Sequence, residues 1–171
     1  MKFSLKLLLI IGFIVPFSVF AQFKAEASDT IYKPIVITGS CKPGDLLNNE
    51  FGESFTAEYR EYHPDKEILL KLEKRIYQCG IKVVLGTWCS DSREQVPRFM
   101  KILDGLQYNT TLLELICVDK LKKADSLYIS GLKIEKVPTF IFYFNGTEKG
   151  RIIETPVLTI EQDMNHILFD Q

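Results

Sequence analysis

From Asp65 onward, apolar runs of strand length alternate with segments of helical periodicity, and this order limits the folds open to the chain. The apolar runs occupy residues 81–86, 112–118 and 137–144, and the helical segments occupy residues 65–80, 90–106, 120–130 and 159–169. The more polar residues 149–154 are interpreted as a fourth strand that pairs back on the last run. Strands that are separated by a helix run parallel, whereas Asn145-Gly146 predicts a tight hairpin between the last two strands. The order predicts an α/β domain with a mixed four- to five-stranded sheet and helices on both faces, the fifth strand coming from residues 35–39.

Composition excludes several classes of protein. The chain has 171 residues, of which 46% are apolar, so it holds enough material for a hydrophobic core and is not a disordered protein. Its net charge is -1, which gives no electrostatic footprint for nucleic acid. Its four cysteines are too few for a disulfide scaffold and show no spacing typical of a metal site. We therefore expect one globular domain without a metal or cofactor.

The first residues have the layout of a secretory signal peptide. Two lysines precede an apolar stretch at residues 7–20, which ends in the small-residue pattern Val19-Phe20-Ala21. An uncleaved membrane anchor is the alternative, but the stretch is interrupted by Gly12 and Pro16 and is shorter than the ~20 residues that span a bilayer. We expect a signal peptide at residues 1–21, a periplasmic or secreted mature protein, and no membrane attachment after cleavage.

Residues 22–64 are interpreted as an amino-terminal extension of the domain at residues 65–171. Residues 22–33 are polar and without periodicity, as in a tether, and residues 41–54 are rich in glycine, asparagine and proline, as in a loop. Three aromatic residues then recur at helical spacing: Phe55, Tyr59 and Tyr62.

Cys89 is the residue with the clearest chemical potential. It stands where the strand at residues 81–86 gives way to a helix, so free backbone N–H groups and the positive end of the helix dipole are directed at its sulfur. Both features favour a thiolate, the form that attacks disulfides. Asp91 opposes this effect and Arg93 supports it. The alternative interpretation is a buried, inert cysteine beside a core tryptophan.

The motif Trp88-Cys89-Ser90-Asp91-Ser92 resembles the WCxxC active site of the thioredoxin superfamily, with Ser92 in place of the second cysteine. Pro97 matches the proline that kinks the active-site helix in that superfamily, and Val137-Pro138-Thr139 is similar to its cis-proline motif. Phe144-Asn145-Gly146 resembles the hairpin that follows. The resemblance covers residues 65–169, and it extends to exported bacterial thioredoxin-like proteins with serine at the second position.

This resemblance implies a thioredoxin-like fold and a thiol–disulfide exchange activity on protein thiols or disulfides. It implies that Cys89 is the nucleophile, with Ser92 beside it in the active site. It also implies a cis peptide bond before Pro138 and a peptide-binding surface formed by Trp88, Val137, Pro138 and Thr139.

Two departures from the superfamily pattern bear on function. Ser92 cannot form a disulfide and can only donate a hydrogen bond to the Cys89 sulfur, so the site can attack or isomerise a disulfide but cannot complete net reduction or oxidation alone. Val83 occupies the strand position at which thioredoxins carry a buried acid. Both departures favour an alternative function, a redox-inactive module that keeps the scaffold for binding a peptide or protein.

A third interpretation is an iron–sulfur cluster held by Cys89 and glutathione, as in single-thiol glutaredoxins. Those proteins have glycine and phenylalanine between the cysteine and the serine, whereas this chain has Ser90-Asp91. The expected export also argues against a cluster.

The remaining cysteines and histidines give weaker signals. Cys117 lies within an apolar run, which predicts a core position, whereas Cys41 and Cys79 are candidates for a disulfide with each other or for resolving an adduct at Cys89. His63 and His166 are isolated and show no spacing typical of a metal site.

Overall fold

A computed structural model describes residues 36–47 and 49–169, with the side chains of Asn49 and Glu50 left out. These residues lie in a compact unit that spans Pro34–Gln171. The predicted signal peptide at residues 1–21 and the predicted tether at residues 22–33 lie outside the described residues. No helix within the described ranges is long and apolar enough to cross a membrane.

Within the described residues, five strands form a single sheet. The strands are β1 (Gly39–Cys41), β2 (Cys79–Leu85), β3 (Leu113–Cys117), β4 (Thr139–Phe144) and β5 (Thr147–Ile153). Their order is β1-β3-β2-β4-β5, in which β2 and β3 run parallel and every other neighbouring pair runs antiparallel. The predicted mixed sheet, the hairpin at Asn145-Gly146 and the thioredoxin-like fold class are thereby confirmed. The prediction that strands separated by a helix run parallel holds for β2 and β3 but is wrong for β4, which pairs antiparallel with β2.

The helices follow the predicted order but cover the sheet unevenly. They are α1 (Asn49–Glu61), α2 (Lys66–Ile76), α3 (Ser90–Gly105), α4 (Ser126–Ile129) and α5 (Ile160–Phe169), with 3-10 turns at Pro43–Leu47 and Thr110–Leu112. The four longer helices bury the larger core on one face, where the Phe99 ring lies 4.6 Å from the Phe140 ring. The one-turn α4 and its flanking loops cover Val84 and Ile116 on the other face.

The amino-terminal extension is more ordered than the sequence indicates. The strand predicted at residues 35–39 is instead Gly39–Cys41, and α1 begins at Asn49, inside the segment predicted to be a loop. Gly52 favoured the loop prediction, but it lies within α1, where it allows close packing of the backbone. A Cβ at this position would lie 2.0 Å from the carbonyl oxygen of Leu47. The predicted helical spacing from Phe55 onward is confirmed.

Two other predicted boundaries were wrong. The helix predicted at residues 120–130 is only Ser126–Ile129, because the Asp119 carboxylate accepts the Leu121 N–H at 2.8 Å and the Lys123 N–H at 2.9 Å and closes a turn instead. Gly80 lies within β2 and does not end α2, which ends at Ile76.

Two phenol groups, Tyr59 in α1 and Tyr62 just after it, give the protein a sensitivity to alkaline pH. A hydrogen bond to Asp104, with burial, raises the pKa of Tyr59 from 10.0 to about 12, and burial and Glu161 also raise the pKa of Tyr62. The folded state therefore binds these phenol protons more tightly than the unfolded state does. Their contribution to stability is complete below the unfolded pKa and is lost as pH rises through the folded pKa. We expect the urea midpoint to fall as pH rises from 10.0 to about 12, and to fall less in Tyr62→Phe. A midpoint that is constant over this range would contradict the assignment.

Candidate functional site

Cys89 lies at the amino end of α3, as the sequence predicts. It is the N-cap residue of that helix; its N–H donates to the Gly86 carbonyl at 2.9 Å, and its own carbonyl accepts the Arg93 N–H at 3.1 Å. The side chain is half-buried, in contrast to the three other cysteines, which are buried. The start of α3 therefore presents the sulfur of Cys89 at the surface, and the Cys89 side chain makes no capping hydrogen bond to the helix N–H groups.

The sulfur of Cys89 faces the loop that leads into β4. The Val137–Pro138 peptide bond is cis, and the Cys89 thiol donates to the Val137 carbonyl at 3.2 Å. Thr139 is buried, and its hydroxyl donates to the Lys136 carbonyl at 2.6 Å, which fixes the loop. The structure therefore brings Cys89, Val137 and Pro138 together, with Thr139 in a supporting position behind them.

Ser92 is close to the site, but its recorded contact differs from the expected one. The side chain is fully buried, and its hydroxyl accepts the Gly86 N–H at 3.2 Å. The hydrogen bonds recorded for the Cys89 sulfur lead to Val137 and, at 4.0 Å, to the Asp91 carboxylate. The expected hydrogen bond from Ser92 to the Cys89 sulfur is thus not formed between the described residues, because the Ser92 hydroxyl lies under the loop at residues 86–89.

Trp88 is held firmly against that loop. Its indole N–H donates to the Val118 carbonyl at 2.9 Å. A Cβ at Gly86 would lie 2.6 Å from the indole ring, so only glycine lets the ring approach the backbone at this distance. The Arg93 guanidinium donates to the Thr87 carbonyl at 3.1 Å from the other side. These contacts give the motif a defined shape before any substrate binds.

The charges around Cys89 come from three chain segments. Asp91 is the carboxylate in recorded contact with the sulfur. Lys136 pairs with Glu154, and Glu154 above all, with a smaller contribution from Asp91, raises the pKa of the Lys136 ammonium. Val83 occupies the strand position at which the resemblance implies a buried acid, and its side chain is fully buried.

A groove of about 370 Å³ borders Trp88 on the side of the amino-terminal extension. Its lining residues are Ser54, Glu58, Trp88, Ser90, Arg93 and Glu94. Arg98 pairs with Glu58 at 2.8 Å and with Glu94 at 2.7 Å, which holds α1 against α3. Sequence reasoning missed the residues from α1, although the helical spacing of its aromatic residues was the signal that could have found them.

The other three cysteines are buried. Burial raises the pKa of the Cys79 thiol to about 11, and Cys79 starts β2 at the end opposite to the Cys89 loop. Because β3 lies between β1 and β2, Cys41 lies one strand away from β2 and is not the cross-strand neighbour of Cys79. The His63 imidazole lies 2.6 Å from the Glu61 carbonyl. No group of three or more metal-ligating side chains occurs within the described part of the chain.

Comparisons with known proteins bear on the fold. No protein-family model matches the sequence, and no curated protein matches it significantly. A structure of a Pseudomonas aeruginosa protein of unknown function is 14% identical over 77% of this chain and 80% of its own, with a TM-score of 0.53. An HIV epitope scaffold is 13% identical over 76% of this chain and 82% of its own, with a TM-score of 0.52.

Thioredoxin O2 from Arabidopsis thaliana, in its oxidized state, is 20% identical over 60% of this chain and 84% of its own, with a TM-score of 0.40. At these identities likeness speaks to fold alone. The chain shares its fold with the Pseudomonas protein and the scaffold, and its own strand order and cis-proline site make that fold thioredoxin-like.

Proposed function

We propose that this protein is a thiol–disulfide exchange protein that acts through Cys89 on protein thiols or disulfides in an exported compartment. The observation that carries the proposal is the position of the Cys89 sulfur. It is half-buried, lies at the amino end of α3, and is 3.2 Å from the carbonyl oxygen of Val137 in the cis peptide. The surroundings are apolar, since Cys89 and Trp88 pack against Val84, Val118 and Val137.

This geometry supports attack on a disulfide held beside the cis peptide. The Cys89 thiolate attacks one sulfur of the substrate disulfide, the S–S bond breaks, and the second substrate sulfur leaves as a thiolate. The cis peptide supports pairing of the backbone groups next to Pro138 with an extended peptide, for which Trp88 would form the adjoining wall.

Release of the product determines the type of exchange. The mixed disulfide on Cys89 must be attacked by another thiol, and Ser92 cannot supply one. A second thiol of the substrate resolves the adduct, so that the substrate ends with a rearranged disulfide and Cys89 is regenerated. Electrons and protons balance within the substrate, and the site thus favours isomerisation over net reduction.

A second candidate function is a peptide-binding module without redox activity. The burial of Ser92 and its contact with Gly86 favour this alternative, because they show the second motif position serving the loop and not the sulfur. Binding would then use the same surface, Trp88 and the cis peptide, with Cys89 dispensable.

The reactivity of Cys89 separates these functions. We expect Cys89 to be alkylated roughly 100-fold faster than the three buried thiols, since an opening that costs about 3 kcal/mol exposes them about 1% of the time. We also expect a peptide containing a disulfide to form a mixed disulfide with the protein, and this adduct to disappear in Cys89→Ala but persist in Cys79→Ala. Mass spectrometry of the alkylated, quenched protein measures both.

Other outcomes would contradict the proposal. If Cys89 is alkylated no faster than the buried thiols and forms no adduct, the exchange function is wrong. If Cys89→Ala then still binds an extended peptide while a substitution at Trp88 does not, the binding-module function is the correct one.

A further inference from the structure

The pairing of the edge strand β1 with β3 places one cysteine from each strand on the same face of the sheet. In the antiparallel pairing of β1 with β3, Gly39 lies opposite Cys117 and Cys41 lies opposite Leu115. Cys41 and Cys117 are therefore diagonal neighbours, and because side chains alternate between faces with a period of two, both point to the same side. Both belong to the larger core, with Cys41 7% exposed and Cys117 0% exposed.

Cys41 also influences the ionisation of Cys117. Its proximity, together with burial, raises the pKa of the Cys117 thiol. The Cys41 side chain occupies the inward position on a strand whose neighbour Ser40 is exposed. Both side chains therefore enter the same core from neighbouring strands.

We propose that Cys41 and Cys117 are a disulfide-forming pair that fastens β1 to β3. Diagonal neighbours have Cα atoms ~7–8 Å apart, whereas disulfides need ~4.4–6.8 Å, so β1 must shift by about 1 Å. A strand of three residues at the sheet edge, paired on one side alone, can make that shift without disturbing the central strands. This inference does not depend on the activity of Cys89.

The oxidation uses a small-molecule disulfide such as oxidised glutathione. Opening of β1 exposes Cys41, whose thiolate attacks the reagent to give a mixed disulfide and one free thiol. The Cys117 thiolate then attacks the Cys41 sulfur and displaces the second thiol. Two protons and two electrons pass from the protein to the reagent, and an excess of dithiol reverses the reaction.

The bond would fix the amino-terminal extension covalently to the sheet. Residues 42–116, which include α1, α2 and the Cys89 loop, would lie inside the closed loop. A link of that length restricts the unfolded chain strongly and so stabilises the folded state. The pair would respond to the redox conditions of its compartment independently of the surface thiol.

The alternative pairings do not have this geometry. Cys79 lies on β2, and β3 separates that strand from β1. The Cys89 sulfur contacts Val137 and Asp91 at the other site. We therefore expect Cys79 to remain a thiol when the pair is oxidised.

The test uses the full chain with Cys89→Ala, which leaves three thiols, at Cys41, Cys79 and Cys117. The protein is equilibrated with oxidised glutathione in urea below the unfolding transition, denatured and labelled with a maleimide. We expect one labelled thiol in place of three, loss of two hydrogens from the intact mass, and a cross-linked peptide joining Cys41 to Cys117. Unfolding should then occur at a higher urea concentration than in the reduced protein, and dithiothreitol should reverse the difference.

Matched variants complete the design. Cys79→Ala in the same background should keep the cross-link, and Cys41→Ala should abolish it while leaving two labelled thiols. The unmodified chain, mapped in parallel, gives the answer even where a variant folds poorly. Three labelled thiols after equilibration, a stable glutathione adduct on Cys41, or a cross-link that involves Cys79 would each overturn the proposal.

Discussion

Replacing Ser92 with cysteine is expected to convert the single-thiol site into one that completes net disulfide reduction. Residues 89 and 92 are separated by one helical turn and face the same side of α3, so the new thiol lies next to a mixed disulfide on Cys89. At about 10 µM protein, an effective concentration of at least ~1 mM for the attached thiol predicts resolution roughly 100-fold faster than by a second protein molecule. The insulin-reduction rate with dithiothreitol as the electron source measures this gain.

The change carries a small structural cost. The Ser92 hydroxyl accepts the Gly86 N–H at 3.2 Å, and a thiol accepts a hydrogen bond weakly, so we expect a loss of about 1 kcal/mol in stability. Ser90→Cys is the matched control, because residue 90 follows Cys89 directly and lies on a different side of the helix. If neither variant reduces disulfides faster than the unmodified chain, Cys89 is not an exchange nucleophile. If Ser92→Cys reduces disulfides but Ser90→Cys does so equally, the helical geometry is not responsible.

The largest effect on stability is expected at Glu161. This carboxylate is 3% exposed and accepts two hydrogen bonds, from the Tyr62 hydroxyl at 2.5 Å and from the Asp65 N–H at 3.0 Å. It joins α5 to the connection between α1 and α2. Glu161→Ala leaves both donors without a partner in a buried place, and we expect a loss of about 2–4 kcal/mol in the free energy of unfolding, measured by urea denaturation.

Glu148, a carboxylate at the surface, provides the control for the buried Glu161. Glu148 also accepts two hydrogen bonds, both from Arg151, but that pair is exposed, so Glu148→Ala is expected to cost at most about 1 kcal/mol. A double-mutant cycle with Tyr62→Phe isolates the Tyr62–Glu161 interaction. Equal costs for Glu161→Ala and Glu148→Ala, or additive effects of the two substitutions at residues 62 and 161, would show that the buried carboxylate does not hold the helices together.

Local signals explain the parts of the fold that the sequence predicts correctly. Asn145 and Gly146 adopt positive φ values of 48° and 76°, the conformation that a two-residue hairpin requires and that these residue types accept. The Thr159 hydroxyl accepts the Gln162 N–H at 3.3 Å, a local capping hydrogen bond at the start of α5, which lies in the helical segment predicted at residues 159–169. Local signals also predict the position of Cys89, because an apolar run followed by a helical segment determines that it lies at a strand-to-helix junction.

Signals beyond a few residues of chain explain the failures. The start of α1 depends on the close approach of Gly52 to Leu47, and a glycine without that context is typical of a loop. The hydroxyl of Ser92 is predicted to meet Cys89 one turn away, but it contacts the backbone of Gly86 across the loop. Glu161 resembles an ordinary acidic residue in the first turn of a helix, and the sequence does not indicate that it is buried.

The sequence by itself determined the alternation of strands and helices, the hairpin, and a cysteine at a strand-to-helix junction with a proline motif further along the chain. Only the tertiary structure decided that Cys41 and Cys117 lie on the same face of neighbouring strands, that Glu161 is enclosed by Tyr62 and Asp65, and that α1 forms one wall of the groove beside Trp88. The physical reason is that caps, turns and periodicity depend on neighbours within about one or two helical turns. Contacts between residues that are far apart in the chain depend on the order of the strands in the sheet.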